Sequence, residues 1–178
     1  MKKRLFISII VVLIGGFFAS SVFADTLVKF KGGIGVIPIS NVLVDATTGA
    51  ITVNRNIVRG VNSAGQIWVI RNLEARVKTN GEIKVEGEGL LLGGGNNIGT
   101  NSGQSVAAQL FCGAQIFTSA GVPLEPNGDF EIKDILDPSP LPGECVNPVL
   151  LIRSIDLTTG VLGNWFAAGI LDLDSHHR

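Results

Sequence analysis

The chain has 178 residues, 46% of them hydrophobic, with 14 Lys+Arg against 15 Asp+Glu, 23 Gly, 2 Cys and 2 His. Lys2, Lys3 and Arg4 sit together at the start, so the remainder carries 11 basic against 15 acidic residues and a net charge of −4. A mildly acidic domain argues against nucleic acid and anionic lipid as partners, because both reward clustered Lys and Arg.

The first element is a targeting segment. Residues 2–4 are basic, Leu5 to Phe18 form an apolar run broken by Ser8 and the Gly15-Gly16 pair, and Val22 and Ala24 supply the small residues a signal peptidase reads. That order is a secretory signal, with cleavage expected between Ala24 and Asp25. The run falls short of the ~20 apolar residues of a spanning helix. No second long apolar run follows, so no membrane span is expected after signal removal. The expected organisation is a signal peptide over 1–24 and one domain over 25–178, long enough to bury a real core. The expected location is the periplasm or the extracellular space.

Beyond Asp25, Gly or Pro interrupts most stretches before a long helix could run. Between the breaks lie short segments rich in Val, Ile, Leu and Thr. In chain order the expected strands are Leu27–Phe30, Ile34–Ile39, Val42–Val44, Ile51–Val53, Ile57–Val61, Ile67–Lys78 and Glu82–Leu92. Ser105–Phe111, Gln115–Thr118, Phe130–Lys133, Val149–Ile155 and Asn164–Ile170 complete the series. Many short strands with Gly/Pro punctuation indicate an all-β, antiparallel sandwich or barrel. Gln66 to Asn80 has partial helical spacing at Ile70, Leu73 and Val77. Period-two alternation carried through both arms around Asn80-Gly81 favours a hairpin. Parity sets its register. A three-residue loop, Thr79-Asn80-Gly81, pairs Val77 with Ile83 and Ala75 with Val85, so every apolar side chain shares one face and Gly81 takes a left-handed conformation. This register also sets Arg76 against Lys84 and Glu74 against Glu86.

Asp45-Ala46-Thr47-Thr48-Gly49 and Asp156-Leu157-Thr158-Thr159-Gly160 each join two apolar segments. They read as two hairpin turns with the same Asp, Thr and Gly chemistry. Pro138 to Gly143 reads as a rigid loop leading into Cys145. The even cysteine count in an oxidising compartment indicates a Cys112–Cys145 disulfide, worth roughly 3.5–4 kcal/mol in the chain-entropy description.

Several blocks carry a resemblance. Arg59-Gly60-Val61, Gly65-Gln66 with Trp68, Gly89 to Thr100, Phe111-Cys112-Gly113, Asn147 to Ile152 and Trp165 to Gly169 together resemble an uncharacterised family of small exported bacterial β-rich proteins. That resemblance implies no activity. From Ser105 onward, the strand ending in Cys112, the Asn127-Gly128-Asp129 turn and Cys145 before another apolar strand resemble a transthyretin-like sandwich module. This likeness implies an antiparallel β-sandwich of the Ig-like or transthyretin-like kind, with the two cysteines stapling neighbouring strands.

Gly93 to Gly103 is the most unusual stretch. It lacks the Gly-Lys-Ser/Thr of a phosphate-binding P-loop and the acids of a calcium loop. The functional reading is neutral recognition, with Asn96, Asn97, Thr100, Asn101 and Gln104 hydrogen-bonding a glycan or an envelope protein. The structural alternative is a tight loop that needs glycine for positive φ. Trp68 and Trp165 suit a sandwich core better than exposed stacking platforms. Both histidines, His176 and His177, lie at the end of the chain, which disfavours a Ser-His-Asp or Cys-His site within the domain. No cofactor is indicated. The expectation is therefore a non-catalytic exported binding or structural domain. Alternatives are a carboxylate-based hydrolase of sugar polymers and a metal-binding accessory using Asp172, Asp174, His176 and His177.

Overall fold

Strand formation follows the β-branched and aliphatic segments. The computed structural model describes residues 24–173, and among these there are fifteen strands and no helix long and apolar enough to cross a membrane. They are β1 (Thr26–Gly35), β2 (Ile39–Val44), β3 (Ile51–Arg55), β4 (Ile57–Val58), β5 (Val61–Asn62), β6 (Trp68–Val69), β7 (Asn72–Lys78) and β8 (Glu82–Glu88). β9 (Leu91–Leu92), β10 (Ser105–Cys112), β11 (Gln115–Thr118), β12 (Val122–Pro123), β13 (Phe130–Ile135), β14 (Val149–Ile155) and β15 (Leu162–Leu171) follow. Apart from Ala24, the proposed signal segment lies outside the described residues, as do Asp174, His176 and His177.

The main sheet is antiparallel and runs β11-β10-β14-β15-β1-β7-β8-β13, with β12 also paired to β10. It curls into a half-barrel. The curl brings its two edges into register at one point, where Thr118 and Asp137 exchange backbone hydrogen bonds of 2.8 and 2.9 Å. This contact leaves less open edge for another chain to pair with. Leu73, Ala75 and Val77 of β7 and Ile83 and Val85 of β8 point inward, where they meet Phe30, Ile132, Leu110, Leu150 and Ile152 in one core. β10 is buried along nearly its whole length and Leu150, Leu151 and Ile152 of β14 are consecutive buried residues. Both strands are covered on both faces, which explains why they read as continuous apolar runs rather than alternating ones.

The β7–β8 hairpin has the register that parity indicates: Val77 opposes Ile83, Ala75 opposes Val85, and Gly81 has φ +92°. Lys78 and Glu82 pair through their side chains beside the turn. Arg76 does oppose Lys84 and Glu74 does oppose Glu86. β13 extends these rows, placing Lys133 beside Lys84 and Glu131 beside Glu86. Cationic and anionic rows are thus adjacent, so diagonal neighbours are opposite in sign. Lys84 meets Glu86 at 2.6 Å and Glu131 at 3.7 Å, and Lys133 meets Glu131 at 2.7 Å. These solvent-exposed pairs offset the like-charge oppositions rather than adding much stability.

Cys112 and Cys145 are disulfide-bonded, with Cα atoms 4.7 Å apart. The loop that precedes Cys145 contains two cis peptide bonds, Asp137-Pro138 and Ser139-Pro140, and buries Leu141.

Five expected strands divide differently. Leu27–Phe30 and the start of Ile34–Ile39 form one strand, β1, bulged between Phe30 and Gly33, with Gly32 at φ +93°. The bulge lets a single strand pair with β7 through its first half and β15 through its second. Ile57–Val61 is a tight β4–β5 turn at Arg59-Gly60. Ile67–Lys78 breaks at Ile70-Arg71, and Glu82–Leu92 breaks at Gly89-Leu90. The last two breaks are one event, because both arms of the same hairpin bend together. The Asp129 carboxylate accepts the Gly89 N–H at 2.8 Å, and Leu90 N–H donates to the Gly128 carbonyl at 2.9 Å. Gly128 is needed there: its φ is +82°, and a Cβ would lie 2.6 Å from the Leu90 carbonyl oxygen. Beyond the bend the arms continue as β6 and β9, with Trp68 opposite Leu92.

Candidate binding cleft

The bend in the hairpin positions the candidate site. β6 carries Trp68 over the middle of β15, where its ring stacks on Phe166 with centroids 4.2 Å apart and planes 13° apart. Gly35 permits this approach, since a Cβ there would sit 2.2 Å from the Trp68 carbonyl oxygen. Trp165 is also buried and donates its indole N–H to the Asn56 carbonyl at 3.3 Å. Both tryptophans thus belong to the core, although an edge of Trp68 reaches the surface.

That edge and Phe166 floor a cleft of about 280 Å³. Gln66 lies on one side, Asn97, Ser102 and Gln104 come from the glycine-rich loop, and Ser154 and Asn164 come from β14 and β15. None of the lining residues is charged. The cleft therefore offers amide and hydroxyl groups over an aromatic floor. This combination suits a hydroxylated neutral ligand, which needs donors and acceptors at fixed positions beside an apolar ring edge.

The loop itself is ordered by its own backbone. Gly99 N–H donates to the Leu92 carbonyl at 2.8 Å, and Leu92 N–H donates to the Thr100 carbonyl at 2.9 Å. Gly95, Gly99 and Gly103 have positive φ, as does Ser102 at +49°. The five residues expected to bind from this stretch separate into three groups. Asn97 and Gln104 line the cleft. Thr100 and Asn101 turn inward on the loop. The Thr100 hydroxyl donates to the Asn97 carbonyl at 2.8 Å. The Asn101 amide donates to the Leu124 and Glu125 carbonyls at 3.0 and 2.8 Å, and its side-chain oxygen accepts from Gly103 N–H at 3.0 Å. Asn96 is exposed outside the lining. Gln66, Ser154 and Asn164 join the site from segments distant in sequence, and nothing in the sequence marks them as binding residues.

Charge collects elsewhere. Arg59, on the β4–β5 turn, and Arg153 share a separate hollow of about 450 Å³. Arg153 donates to the Gln109 side-chain oxygen at 2.7 Å and from Nε to the Gly163 carbonyl at 2.9 Å. Burial pushes its pKa below the ordinary arginine value, yet a guanidinium stays charged at any physiological pH. Carboxylates gather on the outer sheet face, where Glu74, Glu86 and Asp172 share a hollow of about 350 Å³ with Lys29, Lys31, Arg76 and Lys84. Hydrogen bonding to Lys133, and then the charge of Lys133 and Lys84, holds Glu131 below the usual carboxylate range. Lys84 is correspondingly raised, first by its bond to Glu86. Among the described residues no group of three or more His, Cys, Asp or Glu could hold a metal ion.

Comparison with protein-family models, with curated proteins and with solved structures returned no match.

Proposed function

We propose that the chain is exported and that residues 25–178 act as a non-catalytic binding domain for a neutral, hydroxyl-rich ligand such as a glycan segment, held in the Trp68–Phe166 cleft. The observation that carries this reading is the lining: amides and hydroxyls from four separate segments converge over an aromatic floor, without a formal charge. A disulfide and the lack of a membrane-crossing helix among the described residues are compatible with export. The staple between Cys112 and Cys145, beside an antiparallel sheet curled around one core, supports classing the domain with transthyretin-like sandwiches. A carboxylate hydrolase is less favoured, because the cleft lining contains no Asp or Glu. An envelope protein presenting a neutral polar surface would satisfy the same chemistry.

The test is calorimetric titration with neutral oligosaccharides, followed by substitution. Gln104→Ala and Asn164→Ala should each weaken binding roughly 2- to 10-fold, the worth of one neutral hydrogen bond, and leave the melting temperature unchanged. Asn101→Ala should instead lower the melting temperature, because it removes the loop's anchor to Leu124 and Glu125. Binding should depend little on salt. A steep salt dependence, with affinity lost on Arg153→Gln rather than Gln104→Ala, would move the site to the arginine hollow and contradict the proposal.

A further inference from the structure

Hairpin β2–β3 is the one part of the strand framework, among the described residues, that is exposed along both strands. Its register pairs Val42 with Val53 and Val44 with Ile51. Alternation then places all four on one face, while Asn41, Leu43, Thr52 and Asn54 occupy the other. The four aliphatic residues are 52%, 52%, 64% and 68% exposed for Val42, Val53, Val44 and Ile51 respectively. A lone two-stranded hairpin is at best marginally stable in water, and contiguous exposed aliphatic faces are rare on monomers.

The base of this arm is nevertheless firmly held. Asn56 N–H and the Ser63 hydroxyl both donate to the Pro38 carbonyl at 2.9 Å, Asn56 Nδ2 donates to the Ile37 carbonyl at 3.1 Å, and Arg55 donates to the Ser63 carbonyl at 2.8 Å. The arm is therefore pre-set in position, which lowers the ordering cost of docking.

We propose that β2–β3 is a self-association arm, whose Val42/Val44/Ile51/Val53 face packs on the same face of a second copy across a two-fold axis. Three features favour a second copy as the occupant. The face is β-branched and wholly apolar, so the same patch on a second copy is a chemically matched surface, as a two-fold contact requires. Between Pro38 and Asn54 the only charge is Asp45, at the tip. In an antiparallel crossing the two tips point away from one another, so no like charges meet. With the flanking Ile37, Ile39 and Ile57, all exposed, and without Leu43 on the other face, the arm presents roughly 700 Å² of aliphatic-residue surface, within the range of ~600–1,000 Å² that one partner contributes to a standard interface.

Sedimentation velocity on the exported protein, from low to high micromolar concentration, tests this. The wild type should move from monomer to dimer. Val44→Lys with Ile51→Lys should stay monomeric, raising the dissociation constant at least about 100-fold. The gentler pair Val44→Thr with Ile51→Thr keeps β-branching and should weaken association roughly 10-fold or more. Thr52→Lys, on the opposite face, should leave the dimer intact. A wild type that stays monomeric throughout would overturn the proposal, whether or not it binds phosphatidylcholine vesicles. So would a dimer that survives both double substitutions.

Discussion

Hairpins β2–β3 and β14–β15 share one turn and have opposite fates. In each, the Asp carboxylate accepts two threonine N–H groups, from Thr47 and Thr48 at 2.9 and 2.7 Å and from Thr158 and Thr159 at 2.8 and 3.1 Å. Gly49 and Gly160 have φ of +69° and +71° and donate to the Asp45 and Asp156 carbonyls at the same 2.8 Å. Yet β14 lies inside the main sheet, between β10 and β15, with Leu150, Leu151 and Ile152 buried, whereas β2 and β3 pair only with each other. Turn chemistry makes a hairpin, and neighbouring strands decide whether it is buried. Because β2–β3 is as aliphatic as a buried hairpin and has no neighbour within the described chain, a partner from outside is its natural completion.

The largest effect expected from this contrast is on stability. Ile152→Ala should cost about 2–5 kcal/mol, since Ile152 is fully buried in the core. Val44→Ala, measured by denaturant unfolding at low concentration, should change global stability by less than about 0.5 kcal/mol. Equal losses would mean that the arm is part of the folding core, and the contrast would fail.

A smaller effect concerns acid. Hydrogen bonds from Thr48 and then Thr47 hold Asp45 below the ordinary aspartate value, and those from Thr159 and then Thr158 do the same for Asp156. A depressed folded-state pKa stabilises above the unfolded value, and that contribution is lost as pH falls through the folded one. Carbon-detected titration should therefore show both carboxyls ionising below the usual range, and by similar amounts, because the cause is local to each turn. A depression confined to Asp156 would show that the sheet, not the turn, is responsible.

Local chemistry was legible in the sequence wherever it was sufficient. Parity around Asn80-Gly81 placed Val77 opposite Ile83, and the Asp-Thr-Thr-Gly pattern placed both turns. The Cys112–Cys145 pair followed from an even cysteine count and the expectation of export. What escaped depended on distant groups. The bends at Ile70-Arg71 and Gly89-Leu90 need the Asp129 carboxylate, forty residues beyond Gly89. β1 is continuous because Gly32 and Gly33 carry it across a bulge between two partners. In the glycine-rich loop, composition marked donors and acceptors but not their direction. Asn101 spends its hydrogen bonds on Leu124 and Glu125, while Ser154 and Asn164 reach the cleft only once β14 and β15 are paired. The exposure of Val42, Val44, Ile51 and Val53 had no local signature, because buried strands in this chain are equally aliphatic.

The buried hairpin also supplies one wall of the cleft, so the central functional claim can be read directly from its amides. In a two-dimensional nitrogen–proton spectrum titrated with a neutral oligosaccharide that binds, the side-chain amides of Asn97, Gln104, Asn164 and Gln66 and the Trp68 indole should shift together along one saturation curve. The Asn101 side-chain amide, fixed to its two carbonyls, should move little, and added salt should leave the curve unchanged. Shifts centred on Arg59 and Arg153, or scattered over the outer charged face around Glu74 and Lys84, would contradict the account.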